Sequence, residues 1–352
     1  MRPLVSLTLL LSVPLLSQDL PPSDSTDLVR RPHWSAVSFN RTDLTRHPSR
    51  SLEGLMALLP GFSRVVSPIG ERLSSGVSQA LHLRGSREGE IEYRFGGIPA
   101  TDRWSNMSGV PFLPEMLDAV EVHTGAYGPS LGMMGGGVVD MKLRQGGDVL
   151  TADAIFLTDD FARPGKQFLN TSSYGWTSAV LSVGTPLPFE SSLFVAAEVS
   201  RKANFQPMYL EPINITLVSD YYNSNYYPPP PAPFVIGRNH VPLQSSERSV
   251  VQWNLVSTAL GPSLALFGSI SSGRARQVSW PTAVTDLYRQ ARIPWGEENS
   301  TFAALKAEDE IAAGFSISAS VSYRSCYNGT TDPALGEQWR LYYDSSANAA
   351  AG

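Results

Sequence analysis

From residue 315 to 324 the chain alternates strictly, with Phe315, Ile317, Ala319, Val321 and Tyr323 against Ser316, Ser318, Ser320, Ser322 and Arg324. Successive side chains of a strand point to opposite faces, so this run predicts a strand with one oily and one wet face. A looser version sets Leu193, Val195, Ala197 and Val199 against Phe194, Ala196, Glu198 and Ser200, and Val251, Trp253 and Leu255 against Gln252 and Asn254. The pattern predicts about eight strands near 149–158, 174–184, 192–202, 248–259, 263–273, 300–310, 314–325 and 337–345. Their connections alternate in length: short at 185–191, 261–262 and 311–313, long at 201–247 and 274–299, and more modest at 159–173. Short turns at one rim and long loops at the other are the habit of transmembrane β-barrels, and a soluble sandwich has no reason to keep that phase.

Ahead of residue 148 the rhythm differs. Leu52, Leu55, Met56 and Leu59 recur at i, i+3, i+4 and i+7, predicting a helix capped by Ser49 or Ser51, with Glu53 at its start and Pro60-Gly61 as its stop. Short strands are expected at 80–83, 91–95 and 120–123, with a turn of helix at 114–117 opened by Pro114. Together these make a compact α+β unit. The stretch 118–147 joins two alternating strands through Gly125, Gly128, Gly132, Gly135, Gly136 and Gly137. So many glycines imply a backbone that turns repeatedly and passes close to other backbone.

At the very front, Met1-Arg2 and an apolar run over 4–16 read as a secretory signal peptide, 1–17, cleaved near Ser17-Gln18. Residues 18–47 are polar and proline-punctuated, an extended mobile segment. Beyond residue 17 no apolar run approaches the ~20 residues of a spanning helix. The net charge of −5 argues against a nucleic-acid partner. Cys326 is the one cysteine, so no intrachain disulfide is expected, and the five histidines lack metal-site spacing. Glu90 and Glu92, near Arg84 and Arg87, read as salt-bridged surface residues. With no P-loop, no nucleophile elbow and no zinc spacing, no catalytic residue, metal or cofactor is assigned.

The glycine-rich stretch resembles the end of the plug domain of TonB-dependent outer-membrane receptors, with its Val-x-Val strand, Gly125-Ala126 pair, Gly132 and Gly136-Gly137-Val138-Val139. Upstream, in the order that family uses, stand Leu58-Leu59-Pro60-Gly61, Leu83-Arg84-Gly85 and Gly97-Ile98-Pro99 followed by Asp102. The resemblance implies a plug over 48–147 and a partial β-barrel over 148–352, that is, an α+β plug domain followed by antiparallel transmembrane β-barrel strands. Family barrels have about 22 strands around a plugged lumen. About 200 residues follow Gly147, and the alanine-rich end lacks an aromatic final strand, so an incomplete barrel from a fragment or a prematurely ended product is expected. A closed barrel of eight strands could not hold a plug.

The resemblance further implies a Gram-negative outer-membrane receptor that imports a scarce solute (siderophore, cobalamin, oligosaccharide or peptide) by energised movement of the plug, with no bond made or broken. Its partners would be the TonB energy-coupling complex, outer-membrane lipid and the small solute. No convincing TonB box is found; Ala36-Val37-Ser38-Phe39 is the best extended candidate and could equally be the first plug strand. Arg84 is carried over as a plug arginine facing the barrel wall. Ligand contacts are expected from Trp104 and Asn106, and from the tyrosines of the longest loop, Tyr221, Tyr222, Tyr226 and Tyr227, whose flat faces and hydroxyls order at small entropic cost. Alternatively, that loop is a solvated, proline-stiffened segment or an interfacial aromatic belt. A secreted or surface all-β adhesion protein is the second functional class, consistent with sequons at Asn40, Asn106, Asn170, Asn214, Asn299 and Asn328.

Overall fold

The computed structural model describes residues 4–8, 36–47, 50–64, 81–87, 90–102, 107–125, 135–161, 167–173, 175–203, 213–215, 234–236, 245–276, 293–312, 315–336, 338, 341 and 344–350. Strand β1 (Leu4–Thr8) precedes a front unit that begins with β2 (Ala36–Asn40). Helix α1 (Arg41–Arg46) starts on a reciprocal cap, in which Asn40 Oδ1 accepts from the Asp43 amide and Asp43 Oδ2 from the Asn40 amide, both at 3.1 Å. Helix α2 (Leu52–Met56) starts where Ser51 Oγ accepts from the Gly54 amide, and it buries Leu52, Leu55 and Met56. It ends short of Leu59 in i→i+3 turns, because Pro60 cannot continue the amide ladder.

There follow β3 (Phe62–Arg64), β4 (Leu81–Leu83), β5 (Ile91–Phe95), β6 (Ile98–Pro99), β7 (Thr101–Asp102), β8 (Met107–Ser108), a 3₁₀ turn at Pro114–Met116, β9 (Leu117–His123) and β10 (Gly137–Leu143). Five of these strands form a sheet in the order β2-β9-β10-β5-β6, in which β10 runs parallel to β5 and the remaining pairs are antiparallel. Ala36-Val37-Ser38-Phe39 is thus the first strand of this sheet, paired with β9, rather than a free peptide. The expected glycine crossing is real at its described end. A Cβ on Gly137 (φ 153°) would lie 2.5 Å from Leu83 Cδ2 and 2.8 Å from the His123 carbonyl, and one on Gly136 would lie 2.8 Å from the Glu90 carbonyl.

After the unit the chain becomes a meander: β11 (Thr151–Thr158), a small hairpin of β12 (Gln167–Phe168) and β13 (Thr171–Ser172), β14 (Trp176–Leu187), β15 (Ser191–Lys202), the pair β16 (Ile213–Ile215) and β17 (Phe234–Ile236), then β18 (Ser246–Ser257), β19 (Ser263–Arg276), β20 (Trp295–Ala312) and β21 (Phe315–Thr331). Its long strands make one antiparallel sheet, open at both sides, in the order β11-β14-β15-β18-β19-β20-β21-β1. Seven of the eight strands expected from alternation are present, and the long and short connections fall in the expected phase. The eighth, near 337–345, is not there among the described residues. Asp332 Oδ1 accepts from the Ala334 and Leu335 amides to make a turn, Gly336 has φ 61°, and helix α3 (Ser345–Ala350) begins where Asp344 caps the Ser346 amide. Beside β21 lies β1 instead, from Leu4 opposite Arg324 to Thr8 opposite Ser320, residues that the sequence places in the apolar core of a leader.

The faces of this wall invert the usual globular arrangement. Leu181, Val199, Val251, Leu266, Ile270, Leu305 and Val321 point outward and are exposed. Inward positions carry Ser178, Glu198, Gln252, Asn254, Ser269, Ser271 and Ser300, all buried beneath the front unit. The inner face is not wholly polar, however. Phe194, Phe267 and Phe302 are buried with the core of the front unit, because part of that face meets protein rather than water.

Candidate functional site

The contact between front unit and wall gathers the buried charge of the molecule. Arg50, just ahead of α2, donates through two guanidinium nitrogens to the two carboxylate oxygens of Glu115 in the 3₁₀ turn, each at 2.8 Å. Its Nε lies 3.9 Å from Oε1 of Glu198 on β15. Glu198, 3% exposed, also accepts from Ser178 Oγ at 2.8 Å and from Arg248 on β18 at 2.7 Å. Glu115–Arg50–Glu198–Arg248 is therefore a chain of alternating charge that crosses from unit to wall. Burial alone would depress the Arg50 pKa, but its bond to Glu115 and the charges of Glu115 and Glu198 outweigh that and raise it.

Further polar and aromatic contacts complete the seam. Gln252 Nε2 donates to the Pro111 carbonyl at 2.7 Å, and Asn254 Nδ2 to the Arg144 carbonyl at 3.0 Å. Arg324 on β21 donates to the Thr101 carbonyl and to Asp102. Phe95 of the unit meets Phe267 and Phe302 of the wall at centroid distances of 6.0 and 5.9 Å. Gly96 (φ 62°) permits this approach, since a Cβ there would sit 2.8 Å from the Phe267 ring. Arg144 lies 4.3 Å over the Phe194 ring.

Between unit and wall lies a cavity of about 300 Å³, lined by Arg50, Ser108, Pro111, Trp176, Lys202, Arg248 and Glu298 among others. Nε of Arg50 and Nε of Arg248 find no hydrogen-bond acceptor among the described residues. Arg50, Lys202 and Arg248 bring cationic side chains to the cavity lining and Glu298 a carboxylate. Among the described residues no cluster of His, Cys, Asp and Glu could hold a metal ion, and Cys326 is a free thiol.

Trp104, Asn106, Tyr221, Tyr222, Tyr226, Tyr227 and Gly132 lie outside the described residues. The other motif residues converge within the unit. Pro60-Gly61 and Arg84-Gly85 meet where the Arg84 amide donates to the Gly61 carbonyl at 2.7 Å, next to the pairing of Phe62 with Leu83. Arg84 and Gly85, at φ 51° and 80°, make the turn. Gly97 donates its amide to Asp140 Oδ1 at 3.2 Å, Gly125 closes β9, and Gly136 donates its amide to the Glu90 carbonyl at 3.0 Å. The Arg84 side chain is exposed and donates to the Thr124 carbonyl at 3.3 Å. It is Arg50 that packs beneath the described strands of the wall, where its carboxylate partner Glu115 is carried by the 3₁₀ turn. Glu92 is likewise no surface residue, being buried and paired with Arg94 at 2.6 Å.

Arg50 and Glu115 escape sequence reading because they are 65 residues apart with no pattern linking them. Glu198, Gln252 and Asn254 were legible as inward residues. A carboxylate buried at such a position demands a cation opposite, and that is the signal that could have found Arg248 and Arg50.

No protein-family model and no curated protein sequence matches the chain. Solved structures of TonB-dependent receptors do match it in fold. Against the ferric citrate transporter FecA in its unliganded form the TM-score is 0.58 and the identity 13%, over 87% of this chain and 42% of that one. Against a mutant of the ferric enterobactin receptor PfeA from Pseudomonas aeruginosa the values are 0.55 and 15%, over 88% and 43%. Against BauA, the ferric preacinetobactin receptor from Acinetobacter baumannii, they are 0.54 and 13%, over 85% and 39%. The chain spans about two fifths of the length of these structures, which belong to receptors and transporters rather than enzymes.

Proposed function

We propose that this chain works as the front part of a TonB-dependent outer-membrane receptor. The front unit is its plug, the meander is the first part of its barrel, and the cargo is a scarce solute taken in when the plug moves. The observation that carries the reading is the seam. A folded unit lies against the largely polar face of an antiparallel sheet and is held by a few charged and amide contacts, while the opposite face is apolar and exposed. On β20 the outward positions between Glu297 and Asp309 carry no charge. Twelve residues of a strand tilted by about 40° span roughly 30 Å along the membrane normal, the thickness of a hydrocarbon core.

The named ligands of the neighbours favour a ferric chelate among the solutes considered. Trp104, Asn106 and the tyrosines 221, 222, 226 and 227 are the proposed outer contacts, and the TonB complex is the proposed source of energy. No chemistry on the solute is required, so the protein is a transporter and not an enzyme. A secreted adhesin leaves the outward apolar belt without an account.

The test is to fractionate cells and to bridge Pro111→Cys to Gln252→Cys, in a Cys326→Ser background, with a reducible thiol cross-linker. Recovery with the outer membrane, and uptake of labelled ferric chelate that stops on bridging and returns on reduction, are expected. A protein recovered in the soluble fraction without detergent overturns the reading.

A further inference from the structure

We propose that the cavity between front unit and wall binds a zwitterion of the length of an amino acid or dipeptide, with Glu298 taking its ammonium group and Arg248 its carboxylate. The inference goes beyond the receptor reading, since it needs the seam but no movement of the plug. Register sets Ser200 (β15), Arg248 (β18), Gly273 (β19), Glu298 (β20) and Asn328 (β21) in one row. Parity puts the row on the same inward face as the buried Glu198, Ser271 and Ser300, two residues nearer the long connections. Gly273 places no side chain between Arg248 and Glu298, whose backbones stand two strand spacings apart, about 10 Å. Both line the cavity.

The two charges are held apart rather than paired. Nearby carboxylates are satisfied, Glu115 by Arg50, Glu198 by Arg248 and Asp102 by Arg324. Glu298 has no hydrogen bond and no ion pair among the described residues, although it senses the charges of Arg248 and Asp102. Arg248 leans the other way, to Glu198 at 2.7 Å, which engages one of its five N–H groups and leaves terminal donors for a second carboxylate. Lys202 on β15 adds a cation on that side of the cavity. A half-buried carboxylate without a partner costs free energy that a cationic group recovers. A simple cation entering here would meet Arg50, Arg248 and Lys202, and a simple anion would meet Glu298, whereas an occupant carrying both signs satisfies both sides. Two extended residues measure about 7 Å, so a dipeptide with a hydrogen bond at each end spans the gap to the leaning guanidinium. A volume of about 300 Å³ stands at the small end of the range for ligand sites.

The experiment titrates L-alanyl-L-alanine, its N-acetyl form and its C-terminal amide against the full chain in detergent, followed by ligand-observed NMR. The wild type should bind the free dipeptide about tenfold or more tightly than either capped form, as the loss of one charge-assisted hydrogen bond implies. Glu298→Gln should lose about tenfold for the free dipeptide and for the amide, and nothing for the N-acetyl form, which has no ammonium group to offer. Glu298→Asp should keep most of the binding. Because Glu298 has no internal partner among the described residues, Glu298→Gln should melt no lower than the wild type, which separates a binding role from a structural one. Equal binding of the three peptides, a penalty for one cap only, or a Glu298→Gln chain that still prefers the free dipeptide to its N-acetyl form overturns the inference, and so does a lowered melting temperature in that variant. The receptor reading is tested by membrane recovery and bridged uptake, so it survives each of these results.

Discussion

Single residues at the seam carry opposite consequences for charge and for pH. Arg50→Gln keeps much of the side-chain volume but leaves Glu115 and Glu198, 7% and 3% exposed, without their shared cation. Breaking a buried pair from one side costs about 3–5 kcal/mol, whereas replacing both members by apolar groups is close to neutral. Urea denaturation should therefore show Arg50→Gln as much the less stable, with Arg50→Met/Glu115→Met recovering most of the loss; equal destabilisation by both would contradict this account. Within the front unit, Glu121 has its pKa lowered chiefly by its hydrogen bond with His123, against the opposing effect of burial, and further by the Lys142 charge. Lys142 is raised in turn, because Asp140 at 2.9 Å and Glu121 at 3.5 Å outweigh its own burial. A carboxyl depressed in the folded state adds stability that is present above its unfolded value of 4.5 and lost as pH falls through the folded value. Glu121→Gln should flatten the acid limb of the melting temperature below about pH 4.5 and leave pH 7 behaviour with no such slope. The Arg50–Glu115 pairing was not legible in advance, because the two are 65 residues apart and joined only by the folded path of the chain.

At the scale of elements, legibility followed periodicity. Strands β14, β15, β18, β19, β20 and β21 declared themselves because one face is apolar and exposed and the other largely polar and buried, a contrast that every second residue repeats. Of the 337–345 segment only residues 338, 341, 344 and 345 are described, and these stand in i→i+3 turns and at a helix start rather than in a strand. Helix α2 was read one turn too long, since an apolar Leu59 at the right spacing says nothing about the amide missing at Pro60. At the described end of the glycine crossing the reason for glycine is steric. Gly137→Ala would drive a methyl into Leu83 Cδ2 and the His123 carbonyl, and Gly136→Ala one into the Glu90 carbonyl. Each should cost on the order of 2 kcal/mol or more. Thermal unfolding followed by circular dichroism should register the loss, with Gly147→Ala, whose nearest neighbour is at 3.9 Å, as the silent control.

At the scale of the whole molecule, the sequence showed a globular piece and an alternating piece but not how they sit together. Inward serines, glutamine and asparagine are as suitable for lining a water-filled channel as for holding a protein, and Phe194, Phe267 and Phe302 look like breaks in the alternation until the front unit is seen against them. The attachment between the two pieces is lopsided. At one end the link over 144–150 is riveted: the Arg144 carbonyl is held by Asn254, its guanidinium lies over Phe194, and a Cβ on Gly146 would come 2.6 and 2.8 Å from the Leu193 and Thr185 carbonyls. At the other end β2 is an edge strand paired antiparallel with β9, with Ala36 opposite His123 at its leading residue and Phe39 packed against the core. On the receptor reading proposed above, tension applied across β2 from the N-terminal side would part these rungs one at a time while the far end stays bolted to the wall. A stopper so attached would open along one edge and remain tethered, ready to reseat without having to find its socket again.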